Sequence, residues 1–168
     1  MKKLTLLIAL LLIGLSANAL AANPSASASA SATAVIVTPI SISQSGNNLS
    51  FGNIVASVAG GTVVVDPSGT PSYSGVSVPS TPGTITAAAF SVTGSAGLTY
   101  AITLPGSATL NSGGNSMTLG TFTSSPSATG TLDGSGAQAL TVGATLTVGA
   151  SQAAGTYTGT FSVTVAYN

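Results

Sequence analysis

The stretch Gly155-Thr-Tyr-Thr-Gly-Thr-Phe-Ser-Val-Thr-Val-Ala-Tyr167 constrains the fold more than any other part of the chain. Tyr157, Phe161, Val163, Val165 and Tyr167 share one phase of a two-residue period, and Thr158, Thr160, Ser162, Thr164 and Ala166 share the other. Successive side chains on a strand point to opposite faces, so the pattern predicts one long, half-buried β-strand. Its β-branched and aromatic residues suit a pleated surface, and no Pro removes a ladder donor, so it can sit inside a sheet.

The preceding chain reads in the same way. Ala34-Val35-Ile36-Val37 opens the first expected strand, interrupted at Pro39 before Ile40 and Ile42 resume. Leu49, Phe51 and Ile54 follow, with Gly52 a bulge or kink, and then Thr62-Val63-Val64-Val65 and Tyr73 to Val78. Ile85 to Val92 and Leu98 to Leu104, joined by Thr93-Gly-Ser-Ala-Gly97, read as a hairpin. Met117 to Leu119 with Phe122, Thr131-Leu132, Ala139 to Val142 and Ala144 to Val148 complete the set. No 3.6-residue period competes with these short runs after the N-terminal segment. About eight to ten strands, punctuated roughly every 8–12 residues by turn residues, predict an all-β antiparallel sandwich of immunoglobulin-like type.

Charge is the sharpest exclusion. The 168 residues contain two Lys or Arg, two Asp or Glu, and neither His nor Cys. The cations are Lys2 and Lys3, at the head of an apolar run from Leu4 to about Leu15 that ends in Ala17-Asn-Ala19 and Ala19-Leu-Ala21. A short basic start, an apolar run too short to span a bilayer and A-x-A sites read as a cleaved secretory signal helix over residues 1–21. The expected location is therefore outside the cytoplasm, by a Sec-type route, in the periplasm, on the surface or beyond. No later segment approaches the ~20 apolar residues of a membrane helix.

Without its signal the chain has no cation to neutralise phosphates, which disfavours nucleic acid and anionic membranes. The usual zinc and transition-metal ligands are missing, so neither metal nor cofactor is expected. Asp66 precedes Pro67 and Asp133 precedes Gly134, positions where a carboxylate accepts nearby backbone N–H groups in a turn. Serine hydrolysis lacks a base, and nothing pairs the two carboxylates for glycoside hydrolysis, so no enzyme is expected. Tyr73, in the Gly/Pro/Ser-rich Pro71 to Pro82 region, is the aromatic least committed to a core and the candidate contact for a surface ligand.

Residues 22–33 hold the repeat Ser25-Ala-Ser-Ala-Ser-Ala-Ser-Ala32. Small side chains make this a flexible, low-complexity arm, and the alternation also lets it lie as an added strand on another molecule's sheet edge. Residues 34–168 are expected to form a single sandwich domain. Its solvent faces carry Ser and Thr in place of Lys and Glu, so charge does not protect its edges against pairing.

Ile36-Val-Thr-Pro-Ile-Ser-Ile42, Leu49-Ser-Phe-Gly-Asn-Ile54, Ala89-Phe-Ser-Val-Thr-Gly94, Tyr100-Ala-Ile-Thr-Leu-Pro105 and Ala154-Gly-Thr-Tyr-Thr-Gly-Thr-Phe161 resemble a family of exported bacterial proteins catalogued as a domain of unknown function. More loosely, the C-terminal stretch is similar to chaperone-usher fimbrial subunits and spore-coat U-type domains. Those typically end in an alternating strand with a penultimate Tyr and a Gly fourteen positions from the end, matched here by Tyr167 and Gly155. The resemblance implies strand pairing with a periplasmic chaperone and then with a second subunit, through Gly155, Tyr157, Phe161, Val163, Val165 and Tyr167. The chain departs from the pattern in lacking a Cys pair and in its Ser/Ala arm. The expectation is a structural or adhesive surface protein assembling by strand complementation; the alternative is a self-contained monomer that binds polysaccharide or another surface protein through its loops.

Overall fold

A computed structural model describes residues 24–168. The expected signal, and the start of the arm at residues 22–23, lie outside the described residues. Residues 24–35 are exposed and carry no strand. Residues Ile36–Asn168 form a compact unit. It is all-β and antiparallel, with twelve strands among the described residues: β1 (Ser41–Gln44), β2 (Ser50–Phe51), β3 (Gly61–Val65), β4 (Pro71–Ser74), β5 (Ile85–Thr86), β6 (Ala88–Thr93), β7 (Thr99–Thr103), β8 (Ser107–Ser112), β9 (Asn115–Ser125), β10 (Thr129–Thr131), β11 (Ala137–Val148) and β12 (Thr164–Tyr167). The number exceeds the expected eight to ten because several runs are cut into short pieces, β2 and β5 being two residues each.

β11 is the spine. One of its edges pairs with β9; the other pairs with β6 through Val142↔Ala88 and then with β3 from Ala144↔Val65. The change of partner falls at Gly143, where a side chain would strike the Val65 carbonyl. Leu140, Val142, Ala144, Leu146 and Val148 keep one phase along β11 and are all buried. β1 extends the sheet beyond β6, β4 beyond β3 and β8 beyond β9. The β8–β9 hairpin turns on Gly113-Gly114, between the paired Ser112 and Asn115. Gly113, at φ 58°, supplies the left-handed conformation that such a two-residue turn requires.

A second layer, made of the ladder β10-β7-β12 and the short ladder β2-β5, covers this sheet. Val63, Val65, Leu119 and Leu146 pack with Phe51 of β2 in one core cluster. Val92, Leu140 and Val142 pack with Tyr100 and Ile102 of β7 in the other. Phe122 touches both. It reaches them because Thr121 and Phe122 together oppose Ala144, between the pairs Gly120↔Thr145 and Thr123↔Gly143. This bulge moves Phe122 into the inward phase and leaves Thr121 at φ 44°.

Three expectations are corrected. Ala34 to Val37 is not a strand of the domain: no ladder includes it, and Val35, Ile36 and Val37 are 83%, 97% and 47% exposed. Ile85–Val92 and Leu98–Leu104 do not form a hairpin, since β6 pairs with β1 and β11 while β7 pairs with β10 and β12. The loop between them is a corner, held by Gly97 N–H on the Leu132 carbonyl and Ser95 N–H on the Tyr167 hydroxyl. The long C-terminal strand is also broken: its regular ladder is Thr164–Tyr167, at the edge of the three-stranded sheet. It runs opposite β8 at the Thr158↔Asn111 bridge and opposite β7 at Thr164↔Thr103, so six residues on one side face eight on the other. The slip spans Pro105, which has no N–H to give the ladder, and Gly155 and Gly159 weaken the strand from within. The alternation itself persists, half-buried at Phe161, Val163, Val165 and Tyr167 and exposed between them.

Candidate functional site

The second layer has an opening between residues 49–56, around β2, and residues 152–161, which lead into β12. The groove there encloses about 1060 Å³. Leu119, Leu146 and Val148 form the buried part of its floor, with Met117 and Leu110 beside them and Ala88 and Phe90 farther along. Eight extended residues at ~3.3 Å each give the first wall a length of up to about 26 Å.

The first wall uses one edge only. Phe51 pairs with Ile85, Asn53 N–H donates to the Pro82 carbonyl at 2.6 Å, and Val55 exchanges bonds of 2.8 and 3.1 Å with Ser77. These alternate residues face the 77–86 side, so the intervening Ile54 directs its N–H and C=O to the other edge, bordering the groove. Ile54 has no backbone partner among the described residues. Gly52 permits the bend at φ 68°, where a side chain would meet the Pro82 carbonyl and Ile85.

The second wall is equally under-paired. Within residues 153–163, Thr158 alone makes backbone–backbone bonds among the described residues, giving and receiving with Asn111 at 3.0 and 2.8 Å. Gly155 and Gly159 let this segment lie close to β8, where side chains would press on Ser112 and on the Thr109 carbonyl. Tyr157 fixes one end: its hydroxyl donates to the Ala153 carbonyl and accepts from Gln152 Nε2, both at 2.8 Å. At the other end the Phe161 ring lies 5.1 Å from Phe122 and 6.4 Å from Phe90, the latter edge-on.

Gly155, Tyr157 and Phe161 therefore line the groove, as three of the six residues singled out in the sequence. Val163, Val165 and Tyr167 do not; they pack on the second core cluster. The Tyr167 hydroxyl accepts the Ser95 N–H at 2.7 Å and donates to the Thr38 carbonyl at 2.8 Å, tying the strap before β1 to the corner loop. Tyr73 stands on β4, an edge strand away from the groove, and is 36% exposed. The first wall and the floor escaped the sequence reading, because residues 49–56 look like an ordinary core strand until their missing neighbour is seen.

No charged residue lines the groove; its polar side chains are amides and hydroxyls. Both aspartates lie in exposed turns. Asp66 Oδ1 accepts from the Ser68 hydroxyl at 2.6 Å, Ser68 N–H at 2.9 Å and Thr70 N–H at 2.8 Å, and Asp133 Oδ1 repeats this with Ser135 and Ala137. The Ser68 hydroxyl, followed by the backbone donors, holds the Asp66 carboxyl below its ordinary value, and the Ser135 hydroxyl acts likewise on Asp133. Among the described residues no cluster of His, Cys, Asp or Glu could hold a metal ion, and no helix is long and apolar enough to cross a membrane.

The sequence model of a family described as "Domain of unknown function (DUF4402)" matches residues 40–167. Comparison with curated proteins and with solved structures found no match.

Proposed function

Since the chain belongs to the DUF4402 family, whose description carries no activity, we propose its function from the groove: an exported structural or adhesive protein of the bacterial surface that takes an extended strand from a partner. The observation that carries this reading is the pair of extended walls, each with unpaired backbone, flanking an apolar floor. A strand inserted there can bond on both edges while its side chains cover the partly exposed Leu110, Met117 and Phe90, the mode of recognition known as β-augmentation. The N-terminal run from Leu4 to Leu15 supports export. The role is non-catalytic, since the groove offers neither acid, base nor activated nucleophile.

Magnitudes decide what such a partner strand must carry. Ordering one backbone residue costs ~1–2 kcal/mol. A net backbone hydrogen bond returns ~0.5–1.5 kcal/mol, so bonds to two walls roughly offset the ordering. The surplus comes from side chains, at ~1.5–3 kcal/mol for each Val, Leu or Ile fully buried. A partner strand therefore needs large apolar residues.

The test is the size of the native exported protein on a denaturing gel, unheated beside boiled. A ladder of subunit multiples that collapses on boiling is the expected result. A single monomer band in both lanes, from folded protein, refutes assembly and moves the search to loop ligands around Tyr73.

A further inference from the structure

We infer that the outer face of the β11 sheet binds an extended, uncharged polysaccharide, seated along a row of hydroxyls that crosses five strands. The inference does not depend on the groove, which opens over the other face of that sheet. Register sets the row: Thr109 of β8 pairs with Thr118 of β9, Thr118 with Thr147 of β11, Thr147 with Thr62 of β3, and Thr62 with Ser74 of β4. Their neighbours in the opposite phase, Leu119, Leu146 and Val63, are buried, so the five hydroxyl side chains stand on the outer face. Strands ~4.8 Å apart spread the five over about 19 Å. Thr109, Thr118, Thr147 and Ser74 are exposed and Thr62 is half-buried. Ser41 and Thr93, elsewhere on the sheet, bond to each other at 2.8 Å, whereas none of the five hydroxyls has a partner among the described residues.

Hydroxyls on an outer face are ordinary in a chain this poor in charge, but two residues beside the row are not. Gly120 lies in the interior of β9, in the next row, between Ser107 and Thr145. It needs no left-handed backbone, and a side chain there would meet nothing within 4 Å. Gly weakens a strand, and where neither conformation nor a neighbour in the chain demands it, it marks close approach by a ligand. Thr121 beside it stands exposed at φ 44°, where a β-branched residue is strained and Gly would not be. Strain of this kind gathers at binding sites.

The chemistry of the face selects the ligand. β9, β11 and β3 are paired on both edges, so a peptide strand finds no ladder to join there, and a ligand must bond to side chains. Hydroxyls that both donate and accept, accompanied by Thr methyls, suit a polymer that presents hydroxyls and C–H faces at a repeat close to the strand spacing, as an extended β-linked glycan does. The row has no cation, and the nearest charge along β3, Asp66, is negative, so acidic glycans and phosphates are disfavoured. The second row, Ser107–Gly120–Thr145–Val64–Ser72, lacks a hydroxyl at Gly120 and Val64, and strands twist from one to the next. The array therefore suits a linear ligand and not a two-dimensional lattice such as ice.

The experiment measures depletion of the full chain, exported from a bacterial host, by amorphous cellulose, insoluble β-1,3-glucan and chitin, with carboxymethyl cellulose as the acidic counterpart. Four chains are compared: wild type, Thr62→Val/Thr118→Val/Thr147→Val, Gly120→Gln, and Thr129→Val/Thr131→Val on β10 in the other layer. Wild type and the β10 variant should bind at least one neutral polymer saturably, more tightly than carboxymethyl cellulose, and without loss at high salt. The triple Val variant, which removes three hydroxyls at nearly constant shape, should bind at least about tenfold more weakly. Gly120→Gln, whose side chain enters open space, should keep the wild-type melting temperature and bind as weakly; it decides the matter if the triple variant does not fold. Wild type that binds none of the three neutral polymers overturns the inference, as does undiminished binding by a folded triple variant or by Gly120→Gln, or an equal loss in the β10 variant. Shaping of ice crystals without polymer binding assigns the row to a lattice and overturns it too. The row lies outside the groove, so the presence or absence of a gel ladder leaves each of these outcomes unchanged.

Discussion

Replacing Tyr167 by Phe deletes one oxygen that serves two segments distant in sequence. That oxygen accepts from Ser95 N–H at 2.7 Å and donates to the Thr38 carbonyl at 2.8 Å. It is also why residue 94 is Gly, since a side chain there would collide with it. A net hydrogen bond contributes ~0.5–1.5 kcal/mol, so two contribute ~1–3 kcal/mol. Tyr167 is half-buried and Thr38 exposed, so water can replace part of the loss. The expected cost is therefore in the lower half, about 1–2 kcal/mol. At roughly 3 °C per kcal/mol for a domain of this size, the melting temperature should fall by about 3–6 °C. Urea unfolding of Tyr167→Phe beside wild type gives the free energy, and amide exchange gives its location. The Ser95 amide should lose protection while amides in β11 change only by the global difference. A fall smaller than ~0.3 kcal/mol, or an unchanged Ser95 amide, would refute the claim that this hydroxyl ties the strap to the corner loop.

Gly130→Ala should cost about 1–3 kcal/mol in urea unfolding, because the added methyl meets the Tyr100 ring and the Gln138 Oε1 that accepts its hydroxyl; wild-type stability would show that the ring has room to move. Leu146→Ala, at a side chain 1% exposed, should cost about 2–5 kcal/mol and is checked in the same way; a cost below ~1 kcal/mol would mean that the groove floor is not part of the core. Both Asp carboxyls titrate below their ordinary value in the folded chain, so their stabilisation is complete above the unfolded carboxylate pKa of ~4 and is lost as the pH falls through the depressed values. Unfolding followed from neutral to strongly acid pH should therefore be flat and then decline in wild type, with the decline reduced in Asp66→Asn/Asp133→Asn; equal slopes would exclude the two turns as its source.

The sequence was informative wherever one residue type forces one local outcome. Period-2 runs located most strands, the Asp66 and Asp133 segments located turns, and Gly52 located a bend. It was silent wherever the outcome depends on which strands become neighbours. The Thr93–Gly97 segment looks the same in a hairpin and in a corner between layers, and only its bonds to Leu132 and Tyr167 distinguish them. The bulge that turns Phe122 inward has no signature of its own, since Thr121 at φ 44° is held by the register of β9 against β11. For the site, the alternation pointed to Tyr157 and Phe161 on one wall. The other wall required knowing that residues 49–56 pair on one edge only, a property of the fold and not of those residues. Val35 to Val37 were misread because a β-branched run has the same composition in a core strand and in an exposed segment outside every ladder.

The lack of charge bears on how a chain like this can pair without aggregating. Lys and Glu on edges ordinarily block unwanted partners, and none stands on the edges of β1, β4 or β12. Specificity then has to come from geometry. A single open edge such as β4 offers an incoming strand one row of bonds, worth ~0.5–1.5 kcal/mol each and no more than one per ordered residue. Against ~1–2 kcal/mol of backbone entropy per residue, that balance is near zero or unfavourable. The groove offers two rows and an apolar lining, so the proposed partner strand is favoured there over β4. Pro71, the first residue of β4, removes one donor from the weaker competitor and widens the difference. In the proposed assembly, discrimination between these two sites depends on apolar side chains reaching into the groove, so a partner strand of large apolar residues is expected over one of small polar residues.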